Sequence, residues 1–324
     1  MPTPLPRTRT TSGRARRLTP AALLALLLTL VLALAGCGSD AAAGKDTAAK
    51  STGSSFPVTV PSSGGTLTLD KRPESIVSLS ATATEMLFAI GAGDQVTAVD
   101  DTSNYPKEAP VTKLSAFTPN AEAIVGYEPD LVVLSNDQNG IVHALGALKV
   151  PTLLLQAATT VDGTYAQLET LGDATGHAEK AGEVITDVQH RIDAAVKSVA
   201  DTSKGLTVYH ELDPTFFSAD SSTFIGSIYE KFGLVNITDG ADKAAGGYPQ
   251  LSAEYIVGKA PDLIVLADTK CCRQSAATVA QRPAFDTVPA VKENRVLAED
   301  DDIASRWGPR IADFAESVAA TLQG

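Results

Sequence analysis

Residues that commonly carry enzyme or metal chemistry are sparse in this chain of 324 residues. Its four histidines are scattered rather than spaced as metal ligands, and only three cysteines are present. Neither a G-x-S-x-G elbow nor an H-E-x-x-H motif occurs, and no paired carboxylates stand in a catalytic context. We therefore expect a protein with no catalytic activity, no intrinsic cofactor and no protein-bound metal. A secreted hydrolase is a remote alternative.

The chain also lacks an apolar run long enough to cross a membrane. The run Ala21–Ala35 has 15 residues, whereas a spanning helix needs about 20. Five arginines precede it and Gly36-Cys37 follow it, which is the layout of a secretory signal. The segment at 34–37 resembles the bacterial lipobox, whose cysteine is lipidated and becomes the new N-terminus. We predict that residues 1–36 are a signal peptide and that Cys37 anchors the mature chain to the outer face of the cytoplasmic membrane.

Basic groups are in the minority. Removal of the five signal-segment arginines leaves 21 basic against 38 acidic groups, a formal charge near −17. Phosphate backbones repel such a surface, so nucleic acid is excluded as a partner. Residues 37–55 are small and polar without apolar periodicity, which is typical of a flexible tether.

An internal repeat indicates the architecture. Ile124–Ser135 (IVGYEPDLVVLS) and Ile256–Ala267 (IVGKAPDLIVLA) share eight of twelve positions at an offset of 132 residues. Each segment is an apolar helix end, a Pro-Asp turn and a strand that is apolar on both faces, as central parallel strands are. The repeat predicts two related α/β lobes.

A long amphipathic helix should connect the lobes. Apolar residues recur at three- and four-residue spacing from about His177 to Ala200. The chain is therefore expected to be an α/β protein of two Rossmann-like lobes with central parallel sheets, joined by one long helix, with a ligand cleft between the lobes. The predicted boundaries are 56–174 for the N-terminal lobe, 175–201 for the connecting helix and 202–324 for the C-terminal lobe.

A family resemblance adds to this prediction. Ser75–Pro106 (SIVSLSATATEMLFAIGAGDQVTAVDDTSNYP) is similar to the first signature of the cobalamin and iron-siderophore class of periplasmic binding proteins, most of all its cobalamin-binding members. The RPAFDTVPAVKENRV segment and the closing WGPRI helix also fit. The resemblance implies a monomer that captures a metal chelate and hands it to an ABC permease with its ATPase. The ligand expected is cobalamin, with a ferric siderophore or haem as the alternative.

Aromatic residues make up only 5% of the chain, but several fall in loops that should follow strand carboxyl ends. Rings similar to Tyr105 and Tyr248 pack on the corrinoid in cobalamin-binding members, and the loop before the PRI helix supplies a further contact. We therefore expect ligand contacts from Tyr105, Phe117, Tyr248, Trp307 and Arg306. Alternatively, each ring packs only against its own loop.

Arginines could instead receive an anionic ferric chelate, because their guanidinium forks suit carboxylate and catecholate oxygens. The candidates are Arg306, Arg310, Arg273 and Arg282. For Arg310, pairing with an acid such as Asp313 or one in the run 299–302 is also expected.

The resemblance further implies one acidic residue on top of each lobe that docks on permease arginines. These positions are expected at Glu85 and Glu230, although the two do not lie at equal offsets in the repeat. The alternative is that both are solvated helix carboxylates.

The adjacent Cys271 and Cys272 are expected to form a vicinal disulfide, because the compartment is oxidising. The alternatives are two free thiols and, less favoured, a pair of ligands for a bound metal. His210, beside Glu211, is interpreted as a structural histidine rather than a metal ligand.

Overall fold

The computed structural model of the protein describes residues 55–241 and 245–324. The predictions for the signal peptide, for Cys37 and for the tether up to residue 54 concern residues outside these ranges. Among the described residues, no helix is long and apolar enough to cross a bilayer.

The N-terminal lobe contains a four-stranded parallel sheet. An antiparallel hairpin, β1 (Val58–Ser62) and β2 (Gly65–Leu69), precedes it. The sheet strands are β3 (Ile76–Leu79), β4 (Val96–Val99), β5 (Leu131–Leu134) and β6 (Thr152–Leu154), in the order β4-β3-β5-β6. Its helices are α1 (Ala81–Ala89), α2 (Ala121–Val125), α3 (Ile141–Ala147) and α4 (Val161–Thr175).

The C-terminal lobe repeats this plan. Its parallel strands are β7 (Thr207–Glu211), β8 (Val235–Asn236), β9 (Leu263–Leu266) and β10 (Val296–Ala298), in the order β10-β9-β7-β8. Its helices are α6 (Phe224–Lys231), α7 (Ala253–Lys259), α8 (Thr269–Cys272), α9 (Ala276–Ala280), α10 (Pro289–Lys292), α11 (Asp301–Ser305) and α12 (Ile311–Gln323). The repeated segments thus become α2–β5 and α7–β9, and the predicted two-lobed α/β architecture is confirmed.

The connecting helix is α5, which has 26 residues and covers Ala178–Ser203. It begins three residues later than expected, because Gly176 adopts a positive φ of 78° and closes α4. It also ends two residues later than predicted. Its buried face is formed by residues at three- and four-residue spacing: Ala181, Ile185, Val188, Ile192, Ala195 and Val199.

A single apolar cluster extends through both lobes. Along β5, Leu131 and Val133 point into it; along β9, Leu263 and Val265 do the same. The alternate residues on those strands pack into two separate outer clusters, one in each lobe. Helices α4, α5 and α12 all contribute to the shared cluster. Both sheets are therefore packed against one core, which restricts their relative movement.

Truncation of the buried face of α5 should destabilise both lobes together. We expect Ile192→Ala to lower the free energy of unfolding by about 2–4 kcal/mol, because Ile192 is buried in the shared cluster. Chemical denaturation followed by circular dichroism measures this change. His190→Ala, at an exposed position on the same helix, is the matched control and should change stability by less than about 0.5 kcal/mol. Equal effects of the two substitutions would contradict the account.

Candidate functional site

Helix α1 carries the charged residue around which the two lobes meet. It starts directly after β3, and Ser80 caps it by accepting a hydrogen bond from Ala83 N at 3.2 Å. Residues 82–87 of α1 are all buried. Glu85 lies in this stretch and is only 3% exposed. A carboxylate buried to that extent requires charged or hydrogen-bonding partners.

Two arginines of the C-terminal lobe supply those partners. Arg310 donates from Nε to Glu85 Oε2 at 2.9 Å and from Nη2 to Oε1 at 2.5 Å. Arg306 Nη1 donates to Glu85 Oε1 at 2.8 Å, and its Nη2 donates to Asp302 Oδ1 at 2.7 Å. We call these four residues, Glu85, Asp302, Arg306 and Arg310, the interlobe ion cluster.

The loop after β4 is also held by this cluster. Arg306 donates to Asn104 Oδ1 at 2.9 Å and to the Thr102 carbonyl at 3.0 Å. Asn104 in turn donates to Asp302 Oδ2 at 3.0 Å. A Cβ atom at Gly308 would lie 3.3 Å from Glu85 Oε2, so glycine permits the close approach of the two lobes here.

Tyr105 lies beside the cluster. The Arg310 guanidinium carbon lies 4.2 Å from the centre of its ring, a cation–π contact, and the side chain remains 44% exposed. Tyr105 and Arg310 also line a cavity of about 860 Å³ between α1, α5 and the start of α12. Among the five predicted ligand contacts, Tyr105 alone lines this cavity.

Trp307 connects the same C-terminal segment to α4. Its indole Nε1 donates to Gln167 Oε1 at 3.0 Å, and its carbonyl accepts from Thr164 Oγ1 at 2.9 Å. The ring is half-buried against the shared apolar cluster. Three of the predicted ligand contacts, Tyr105, Arg306 and Trp307, therefore lie at one junction between the lobes.

Phe117 and Tyr248 do not line the cavity beside Tyr105 and are 68% and 45% exposed. Tyr248 lies in a loop whose backbone is paired with the segment after β7, where Ser218 N donates to the Pro249 carbonyl at 3.0 Å. Burial raises the pKa of the Tyr248 phenol, with a smaller contribution from Asp220. In the described part of the chain, neither ring makes an aromatic or cation–π contact with another residue.

Most of the candidate arginines are already paired with carboxylates. Arg282 forms a bidentate pair with the buried Glu211, at 2.6 Å for both bonds. The expectation that Arg310 pairs with Asp313 or the acidic run at 299–302 is wrong, because Glu85 takes Arg310 and Arg191 takes Asp313 at 2.5 Å. Of the four candidate arginines, Arg273 alone has no ion pair among the residues that the structure describes.

The two expected docking glutamates occupy different environments. Glu230 is exposed on α6, as a docking residue should be. Glu85 is enclosed by two arginines between the lobes and offers no accessible carboxylate. Local sequence could not show this, because the partners of Glu85 lie 221 and 225 residues further along the chain.

A second buried acidic group lies at the carboxyl ends of β7 and β9. Glu211 and Asp268 are fully buried. Among the described residues, neither carboxyl oxygen of Asp268 has a hydrogen-bond partner. Burial raises the pKa of Asp268 to about 7, and the neighbouring Glu211 charge adds to the effect, whereas Arg282 opposes it. Protonation of Asp268 avoids placing a second buried negative charge beside Glu211.

His210, on the opposite face of β7, is a structural residue. Its Nδ1 lies 2.7 Å from the Tyr229 hydroxyl, and burial lowers the pKa of His210 to about 3. The imidazole is therefore neutral at ordinary pH. No group of three or more histidine, cysteine or acidic side chains in the described ranges is arranged to hold a metal ion.

Cys271 and Cys272 form a vicinal disulfide in α8, the state expected from the sequence. The turn is fixed by Asp301, which accepts from Lys270 N at 2.9 Å and from Cys271 N at 3.0 Å. Lys270 Nζ reaches Asp302 at 2.8 Å, which links this turn to the interlobe ion cluster.

Comparisons with known proteins agree with the two-lobed α/β fold. The model of the periplasmic binding protein family matches residues 76–303. The ABC transporter substrate-binding lipoprotein YvrC of Bacillus subtilis is 31% identical over 310 residues, which cover 92% of this chain and 95% of the relative. A cobalamin-binding protein of Halobacterium salinarum is 31% identical over 268 residues, 80% of this chain and 72% of that protein. A solved structure from Staphylococcus epidermidis, described as a possible iron-binding periplasmic solute-binding protein, has a TM-score of 0.66 at 27% identity, covering 78% of this chain and all of the other.

The buried carboxyl of Asp268 should make stability depend on pH. Its native pKa of about 7 exceeds the ordinary value, so its protonation stabilises the fold fully below about pH 4, and this contribution is lost as pH rises through 7. Raising the pH from 5 to 8 should lower the free energy of unfolding of the wild type by on the order of 2 kcal/mol more than that of Asp268→Asn.

Urea unfolding at the two pH values measures this difference. The buried neutral His210 acts in the opposite sense, so the comparison between variant and wild type isolates Asp268. The control is Asp286→Asn, an exposed carboxylate in the same lobe. Parallel pH profiles for the wild type and Asp268→Asn would show that Asp268 ionises normally.

Proposed function

This chain belongs to the periplasmic binding protein family, and we propose on that basis that it captures a corrinoid outside the cytoplasm and delivers it to an ABC permease and its ATPase. The cobalamin-binding relative supports the choice of ligand class. The proposed role involves no catalysis and no resident cofactor. Lipidation of Cys37, proposed from the sequence, would hold the protein at the outer face of the cytoplasmic membrane, consistent with the lipoprotein relative.

The observation that carries the corrinoid proposal is the neutralisation of the arginines near the lobe junction. Arg306 and Arg310 share Glu85, and Arg282 is paired with Glu211. An anionic ferric chelate would have to compete with these buried carboxylates for the arginines, and breaking a buried pair costs about 3–5 kcal/mol. A chelate without net charge, such as cyanocobalamin, makes no such demand.

Exposed rings supply the apolar part of the proposed site. Tyr105, Phe117 and Tyr248 all present a large fraction of their surface to solvent, in loops that follow strand carboxyl ends. Exposed flat rings suit a large planar ligand, because they bury area at little conformational cost. We propose that these rings contact the corrinoid together with Trp307 and Arg306.

A ferric siderophore is the second candidate. Arg273 favours it, because this arginine is exposed beside the disulfide turn and carries no ion pair within the described residues. The iron-binding description of the Staphylococcus epidermidis structure points the same way.

Ligand titrations separate the two candidates. We expect cyanocobalamin to quench the fluorescence of Trp307, the only tryptophan, whereas an anionic ferric tris-catecholate and haem should bind more weakly. Tyr105→Ala and Tyr248→Ala should each weaken cyanocobalamin binding about tenfold, because each removes a stacking ring. Tyr127→Ala is the matched control, since this ring is similarly exposed but lies on the turn before β5. Tighter binding of the ferric chelate than of cyanocobalamin would overturn the corrinoid proposal.

The repeat points to a pair of acids that fits permease docking better than the pair expected from the sequence. Glu122 and Glu254 are separated by the repeat offset of 132 residues and lie in the first turns of α2 and α7. Both are exposed, and neither forms an ion pair among the described residues. Equivalent positions on the two lobes would present equivalent carboxylates to a permease with two similar halves. We propose Glu122 and Glu254 as the docking pair, with Glu230 as an additional candidate.

Transport assays test the docking pair. The double variant Glu122→Ala with Glu254→Ala should leave corrinoid affinity unchanged while uptake through the cognate permease falls at least tenfold, because rim charges set encounter and register. Glu230→Ala in parallel shows whether this residue contributes. Normal uptake by the double variant, with loss in Glu230→Ala, would return the docking role to Glu230.

A further inference from the structure

Glu85 offers no accessible carboxylate to a permease, and it is the acid on which two arginines from the opposite lobe converge. We propose that Glu85 is a positioning and specificity-determining residue, which makes the ligand site selective for chelates without negative charge. This inference rests on the proposed function, because it assigns the cause of the ligand preference to one carboxylate.

Glu85 positions two proposed ligand-contacting residues, Arg306 directly and Tyr105 through Arg310. Its Oε1 fixes Arg306, and both of its oxygens fix Arg310. Arg310 in turn lies against the ring of Tyr105. One buried carboxylate therefore sets the relative positions of Arg306 and Tyr105, which come from different lobes.

The charges of the interlobe ion cluster cancel. Glu85 and Asp302 carry two negative charges, and Arg306 and Arg310 carry two positive charges. Interactions with Lys270, Asn104 and Arg306 keep the pKa of Asp302 below its ordinary value despite its burial, so Asp302 remains ionised at neutral pH. Removal of the Glu85 charge would leave the cluster with an excess positive charge beside Tyr105.

That excess charge should change which ligands bind. At the effective permittivity of a partly buried site, a unit charge several ångströms from a charged ligand changes its affinity by about tenfold or more. A ligand without net charge is affected only through the loss of positioning. The prediction therefore distinguishes an electrostatic role for Glu85 from a purely structural one.

A charge series tests the proposal with three probes: neutral cyanocobalamin, an anionic ferric tris-catecholate and the cationic ferrioxamine B. Arg310→Gln gives the cluster one excess negative charge, and Glu85→Gln gives it one excess positive charge. The double variant Glu85→Gln with Arg310→Gln restores neutrality. We expect Glu85→Gln to raise the ratio of tris-catecholate to cyanocobalamin affinity about tenfold, Arg310→Gln to lower it, and the double variant to return it near the wild-type value.

The control is Glu293→Gln, which breaks an ion pair with Arg295 and should leave the ratio unchanged, because neither residue lines the cavity beside Tyr105. Arg310→Gln, whose predicted effect on the ratio has the opposite sign, keeps the test valid if Glu85→Gln folds poorly. Cyanocobalamin binding by the wild type, with the same affinity ratio in every variant, would overturn this inference alone. Absence of binding of every probe to the wild type would overturn the proposed function and this inference with it.

Discussion

The packing of both sheets against one apolar cluster is the constraint on which the remaining structure depends. Residues of β5 and β9 alternate between this cluster and the outer cluster of their own lobe, and α5 runs between them. Because the interior is close-packed, the sheets cannot separate or rotate far without opening voids in the shared core. The proposed site between the lobes would therefore be formed before the ligand arrives, and binding would have little ordering cost to offset.

The charged groups between the lobes are stable only because this packing brings them together. A buried carboxylate such as Glu85 is unfavourable unless it meets partners of opposite charge. Those partners come from the segment before α12, and α12 is itself part of the shared cluster. The same logic applies inside the C-terminal lobe, where Glu211 pairs with Arg282 and Asp268 retains a proton. Charge is thus neutralised locally around the proposed site in a chain that is strongly acidic overall.

The architecture could be predicted from the sequence because its signals are local or repeated. The segments at 124–135 and 256–267 indicated two lobes, and the apolar spacing on α5 indicated the connecting helix within three residues at either end. The candidate site was harder to predict from the sequence. Glu85 lies in a helix start that resembles a surface motif, and its burial depends on Arg306 and Arg310, which no local pattern connects to it.

The internal repeat relates acidic residues as well as strands. The repeat offset of 132 residues, applied to acidic residues rather than to strands, relates Glu122 to Glu254. The unequal offsets of Glu85 and Glu230 already argued against these two as an equivalent pair. The state of the two adjacent cysteines and the raised pKa of Asp268 depend on tertiary packing, so composition and spacing could not decide them.

The distance between the lobes in solution tests the central claim of a shared, rigid core most directly. Spin labels at the exposed positions His143 on α3 and Ala277 on α9 would report this distance by pulsed electron paramagnetic resonance. We expect one narrow distance distribution that shifts by no more than about 1 Å when cyanocobalamin is added. A broad or two-peaked distribution without ligand, or a shift of several ångströms on binding, would contradict a core shared between the lobes.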